Sequence, residues 1–200
     1  YPYFTVQHFT ENGKLDRMRV LKESLLAINR NFNKNLCSWF AGMFTALSPS
    51  VEEQLTLQPE MLAALSSPHS RPINIILGLL KNLCSHPRFL TDDFLDQTTV
   101  LFASDVKAVH QNTLGVLSKL AKEKKEYRDT ICCAAAQGLM SRDESTQNKI
   151  VKLIQTFGET ESPTLKEALS AYAETMLTST KKELAAYLKD NVSDALSTDK

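Results

Sequence analysis

Leu77-Gly78-Leu79-Leu80-Lys81-Asn82-Leu83, Leu114-Gly115-Val116-Leu117-Ser118-Lys119-Leu120 and Val151-Lys152-Leu153-Ile154-Gln155-Thr156-Phe157 each begin 37 residues after the one before. The first, third, fourth and seventh residues of all three are apolar, which is one stripe of a helix of period 3.6. The helix preceding each stretch keeps the same step, with Leu57, Phe94 and Ile131 in one column and Leu65, Phe102 and Leu139 in another. Outward, the columns Val20/Leu57/Phe94/Ile131/Ala168, Ile28/Leu65/Phe102/Leu139/Met176 and Phe40/Leu77/Leu114/Val151/Leu188 are apolar in all five members. A lone helical hairpin cannot bury such a stripe, so successive hairpins must stack and share one core. The pattern therefore predicts an all-α chain, an α-α superhelix of about five HEAT- or armadillo-like hairpins.

Helix starts are punctuated by Ser48-Pro49, Pro68, Thr91-Asp92-Asp93, Ser104-Asp105, Arg142-Asp143 and Ser162-Pro163. Capping oxygens, prolines and acids in these places satisfy or complement the first turn of a helix. Ten helices are predicted, over 15–29, 33–47, 50–65, 71–84, 91–103, 105–121, 124–140, 144–157, 163–177 and 180–196, joined by short loops. Alternation of period 2 has one candidate, the aromatic lead-in from Tyr1 to Phe9, which reads as extended chain. The prediction is one repeat domain over 1–200, with a lead-in at 1–13, core repeats at 14–160 and a terminal or capping hairpin at 161–200. Asp190, Asn191 and Asp194 turn the last stripe polar, as a cap requires. A chain that opens on Tyr1 reads as a piece of a longer one.

Twenty-three Lys and Arg balance 23 Asp and Glu. Nucleic-acid binders ordinarily carry a basic excess, so a basic surface here could arise only by segregation of charge in space. The longest apolar run, Ile75 to Leu80, is far short of the ~20 residues that cross a bilayer. Cys37, Cys84, Cys132 and Cys133 all lie in apolar helical patterns and read as buried free thiols, which suits a reducing, cytoplasmic setting.

Motifs that carry chemistry are missing from the sequence. Gly138 and Gly158 are isolated, so no phosphate-cradling loop is present. His8, His69, His86 and His110 are scattered, and the adjacent Cys132 and Cys133 project about 100° apart on a helix, which precludes a shared metal ion. Glu52-Glu53, Asp92-Asp93 and Asp143-Glu144 sit in first turns, where acids complement the helix dipole. Trp39 shares a column with Ile76 and Ile150 and reads as core. No enzyme activity, cofactor, metal or small-molecule ligand is indicated.

The exposed signal is a ladder of amides. Asn74, Gln111 and Asn148 share one column near the starts of the second helices, flanked by Arg71, Lys81, Lys119, Lys149 and Lys152. Amides donate and accept at once, which suits the backbone of an extended peptide laid along a concave surface. The expected role is a non-catalytic interaction scaffold for a protein segment or a neighbouring domain of the same chain. Two alternatives are a HEAT-like nucleic-acid or base-excision protein, using Trp39 with cations of the second helices, and a structural spacer or regulator.

Tyr3-Phe4, Gly13-Lys14-Leu15-Asp16-Arg17, Ser24-Leu25-Leu26-Ala27, Asn29-Arg30, Trp39-Phe40-Ala41-Gly42, Leu47-Ser48-Pro49 and Leu65-Ser66-Ser67-Pro68 occur in a fixed order. Through them, residues 3–160 resemble a bacterial family described as a domain of unknown function with HEAT-like helical repeats in long chains. The resemblance implies a helical fold and a longer parent protein. It implies no activity, so it assigns no functional residue.

Overall fold

The structure, a computed structural model, describes residues 2–30 and 32–189, and among them no residue is in a strand. The described residues form thirteen α-helices: α1 Pro2–Glu11, α2 Arg17–Ile28, α3 Lys34–Ala46, α4 Val51–Thr56, α5 Gln58–Ala64, α6 Ser70–Leu83, α7 Thr91–Ala103, α8 Lys107–Glu123, α9 Arg128–Ala136, α10 Glu144–Phe157, α11 Pro163–Ser170, α12 Thr178–Glu183 and α13 Ala185–Leu188. Short 3-10 turns flank α9. The chain divides into two compact units, Tyr1–Glu123 and Lys124–Lys200. The boundary falls inside the charged run Lys122-Glu123-Lys124-Lys125-Glu126.

In the first unit three hairpins pack in two layers. Helices α2, α5 and α7 succeed one another in the first layer, and α3, α6 and α8 in the second. The arrangement is compatible with an α-α superhelix. The stripes explain it: Leu65, Ile76, Leu80, Phe94 and Leu117 have no exposed surface. In the second unit, α9 packs on α10 and α11, and α10 and α11 meet α12 and α13.

Helix-to-helix contacts within one layer of the first unit join residues 34 to 38 apart, such as Asn29 with Ala63, Arg17 with Glu53 and Asn112 with Asn74. In the second unit the step shortens: Ile154 meets Tyr187, and Gln147 meets Thr180, both 33 residues on. The shift is about one helical turn. Consequently Leu165, Leu169, Leu184 and Tyr187 are buried in the fifth hairpin, while Ala168 and Leu188 of the 37-residue columns are only half-buried.

Other boundaries differ for local reasons. The lead-in is the helix α1, because Tyr3, Val6 and Thr10 share one face and Tyr3 docks on α3, donating from Oη to Trp39 O at 3.2 Å. The helix expected over 50–65 breaks at Leu57, where Pro59 supplies no N–H and starts α5 instead. The helix expected over 163–177 stops at Ser170. The last predicted helix is two short ones, α12 and α13; Asp190, Asn191 and Asp194 lie outside the described residues.

One part-buried joint holds the first two hairpins. Ser50 and Glu53 form a capping box on α4, and Arg17 grips the same carboxylate with Nε at 2.8 Å and Nη2 at 3.2 Å while also donating to Leu47 O at 2.7 Å. The Arg17 bond holds the Glu53 carboxyl below its ordinary range. A carboxyl depressed by folding adds stability above its unfolded pKa, and that contribution fades as pH falls through the folded value. Glu53→Ala is therefore expected to cost about 1 kcal/mol at pH 7 after allowing for solvent screening. The gap in urea midpoints should shrink as pH falls through and below the ordinary carboxylate range; a gap unchanged by acid would contradict this role for the pair.

Candidate functional site

The second-layer helices of the first unit carry the predicted ladder. On α6, Arg71 and Lys81 are exposed and Asn74 is half-buried; on α8, Gln111 and Lys119 are half-buried. The amide that meets Asn74 is Asn112, whose Nδ2 donates to Asn74 Oδ1 at 2.9 Å, one residue past the predicted Gln111. Further along, Lys119 Nζ donates to Lys81 O at 2.8 Å, and the Lys81 side chain lies over Gly115, where an added Cβ would meet its Nζ at 3.4 Å. Gly78 faces open space. Together these groups make a shallow polar strip along the seam between α6 and α8. Asn148, Lys149 and Lys152 are exposed on α10, which belongs to the second unit.

Charge is sorted between the layers of the first unit although the whole chain is neutral. Helices α3, α6 and α8 carry Lys34, Arg71, Lys81, Lys107, Lys119 and Lys122 against the lone acid Glu123. Helices α2, α4, α5 and α7 carry Glu23, Glu52, Glu53, Glu60, Asp92, Asp93 and Asp96 against Arg17, Arg19 and Lys22. Sequence totals hide this sorting because each hairpin contributes both signs. The second-layer face therefore has a positive field that attracts anionic groups.

Titratable groups elsewhere are tied into the framework. His110 Nε2 lies 2.6 Å from Ser104 O and His69 Nε2 3.2 Å from Phe32 O, so each imidazole donates to a backbone carbonyl. His69 borders an open depression of about 570 Å³ between residues 65–70 and 100–106, with Lys34, Ser70 and Asp105 also on its wall. Asp143 caps α10, and Glu52 pairs with Arg88. Cys37, Cys84 and Cys132 are buried, Cys133 is half-buried, and none of the four is in a disulfide. Burial pushes the Cys132 thiol up to about 12, so it stays protonated at neutral pH. No group of three or more metal-binding side chains occurs among the described residues. Within the same residues, no helix is long and apolar enough to cross a membrane.

Two residues missed from sequence are buried glutamines. Gln58 donates from Nε2 to Arg88 O at 3.0 Å and accepts at Oε1 from Leu90 N at 2.8 Å. Gln147 donates to Ser141 O and Thr175 O, both at 2.9 Å, and accepts from Leu177 N at 2.9 Å and Thr180 Oγ1 at 2.7 Å. Each fastens the loop of the next hairpin. A signal was present for Gln58, which interrupts an apolar stripe between Leu55 and Met61; Gln147 stands at the polar head of its helix, between the capping Asp143 and Ile150, where a sequence gives no such warning.

Layered helical hairpins with a basic outer seam define an all-helical stacking protein. The chain belongs to the family described as Domain of unknown function (DUF6493), whose sequence profile matches residues 2–108. Neither a curated protein nor a solved structure matches the chain. The matched stretch ends at the first residues of α8.

Proposed function

We propose that this chain is a non-catalytic, HEAT- or armadillo-like scaffold that holds an acidic, extended protein segment on the α6–α8 seam. The observation that carries the reading is the sorting of cations onto the second layer, with Arg71, Lys81 and Lys119 beside the amides Asn74 and Asn112. Amides can bracket a peptide backbone while the cations meet its carboxylates. The engagement of His69, His110, Glu53 and Asp143 in structural bonds supports the absence of catalysis. Free thiols support a reducing, cytoplasmic setting.

Selection from a displayed library of linear dodecapeptides tests the proposal. Acid-rich sequences should be enriched, and Lys81→Glu with Lys119→Glu should weaken the best of them by about 10- to 100-fold. Enrichment that ignores charge, or affinity untouched by the double reversal with the melting temperature unchanged, would remove the reading.

The same cationic seam favours one other polyanion, nucleic acid. Duplex DNA at 50 mM salt separates the two, since phosphate contacts weaken steeply with added salt. Tight, salt-steep duplex binding through Lys81 and Lys119 would replace the peptide reading.

A further inference from the structure

Gly78 stands in the middle of α6, exposed and in ordinary helical geometry, and a Cβ built on it would meet nothing within 4 Å. Packing inside the chain therefore does not require a glycine there. A glycine in a helix interior is less stable than an alanine, because the unfolded chain has more freedom to lose. Gly115 of α8 differs. The Lys81 side chain lies across it, with Nζ 3.4 Å from the place of its Cβ. The chain itself fills the space left by Gly115 and leaves the space at Gly78 open.

The groups around Gly78 agree in what they attract. One turn before it, Asn112 Nδ2 donates to Asn74 Oδ1 at 2.9 Å, which leaves Asn74 Nδ2 and Asn112 Oδ1 without a hydrogen bond to a described residue. They offer one donor and one acceptor side by side, the complement of the C=O and N–H of one residue in an extended chain. After Gly78, Lys119 Nζ donates to Lys81 O at 2.8 Å, and the Lys81 ammonium lies over Gly115. Neither lysine has an ion-pair partner among the described residues. Helix α6 carries no carboxylate, and α8 carries none before Glu123 at its last residue; Asp105 precedes its start. The charge at the middle of the seam is thus of one sign. The seam also lies inside the layer, since α6 packs on α3 as well as on α8.

Spacing sets a register. From Asn74 to Gly78 the helix rises about 6 Å. Two residues of an extended chain cover about 6.6 Å and turn the backbone N–H and C=O to the same side again. A segment whose backbone is bracketed by Asn74 and Asn112 therefore passes over Gly78 two residues later. There the missing Cβ admits its backbone, and its side chain, turned toward α8, meets the Lys81 ammonium.

We infer that Gly78 is the floor on which the bound segment rests, and that the seam reads one carboxylate, two residues from the position bracketed by Asn74 and Asn112. The inference rests on the peptide reading of the α6–α8 seam and adds its register.

The probe is a fluorescein-labelled dodecapeptide in which serine and glutamate alternate, followed by anisotropy. Gly78→Ala should weaken its binding about threefold and Gly78→Leu about tenfold, by filling the floor. Both variants should melt no lower than wild type, since each replaces an exposed helical glycine with a better helix former. Neither changes the charge of the seam. In the stated register the glutamate amides face Asn112 and the serine amides face away. Methylating the glutamate amide nitrogens should therefore weaken the probe about tenfold, and methylating the serine amide nitrogens should leave it nearly unchanged. Unaltered binding by Gly78→Leu, or equal effects of the two methylations, overturns the register even where Lys81→Glu with Lys119→Glu abolishes binding. No saturable binding of the unmethylated probe, or binding indifferent to the lysine reversals, removes the peptide reading of the seam and the register with it.

Discussion

Gln147→Ala is expected to lower the stability of the second unit by about 3 kcal/mol, enough to open it before the first. The carboxamide is fully buried and holds Ser141 O, Thr175 O, Leu177 N and Thr180 Oγ1 at once. Truncation strands four polar groups inside the fold, and a buried group without a partner costs about 1–3 kcal/mol. Some groups would recover a water, which keeps the total well below the sum. Residues 171–177 lie between α11 and α12 and are held by turn bonds such as Thr175 N to Tyr172 O at 3.0 Å, not by a helix. Hydrogen exchange should therefore quicken first over 171–188. Unchanged exchange there, with a loss below about 0.5 kcal/mol, would show that the glutamine is incidental.

Leu77→Ala is expected to cost about 3–4 kcal/mol, within the range for a sealed leucine that leaves a cavity. Leu77 is 1% exposed in α6, between the first and third hairpins. Phe40 occupies the same column in α3, yet it is half-buried on the wall of a groove that it lines with Val20 and Trp39. Its truncation removes a larger side chain and should still cost less, about 1–2 kcal/mol, because part of the ring stays in water and its removal opens onto the groove and leaves no sealed cavity. Urea unfolding of the two variants measures the difference. A greater loss for Phe40→Ala would mean that stacking does not seal the columns in order.

The part of the fold legible in the sequence was the part imposed by burial. Ile28, Leu65, Phe102, Leu139 and Met176 are all buried, as one column predicted. What escaped depended on neighbours that a column cannot show. The one-turn slip at Ile154 and Tyr187 follows from where α11 stops, and the five residues Ala171 to Thr175 are too few to give periodic warning of it. The lead-in was misread because Tyr3, Phe4, Val6 and Phe9 fit either period over so few residues. Asn112 was passed over for Gln111 because adjacent helices in the first unit are offset by 38 residues at that point. The charge sorting could not be read at all until each helix had been assigned to a layer.

Stacked hairpins that gather cations onto one helical layer, and bind there, form the centre of this account. Amide hydrogen exchange of the chain with and without a selected acidic peptide tests it most directly. The account predicts new protection along residues 71–82 and 108–119, abolished by Lys81→Glu with Lys119→Glu. Protection confined to α2, α4, α5 and α7, or none with the peptide saturating, would contradict it.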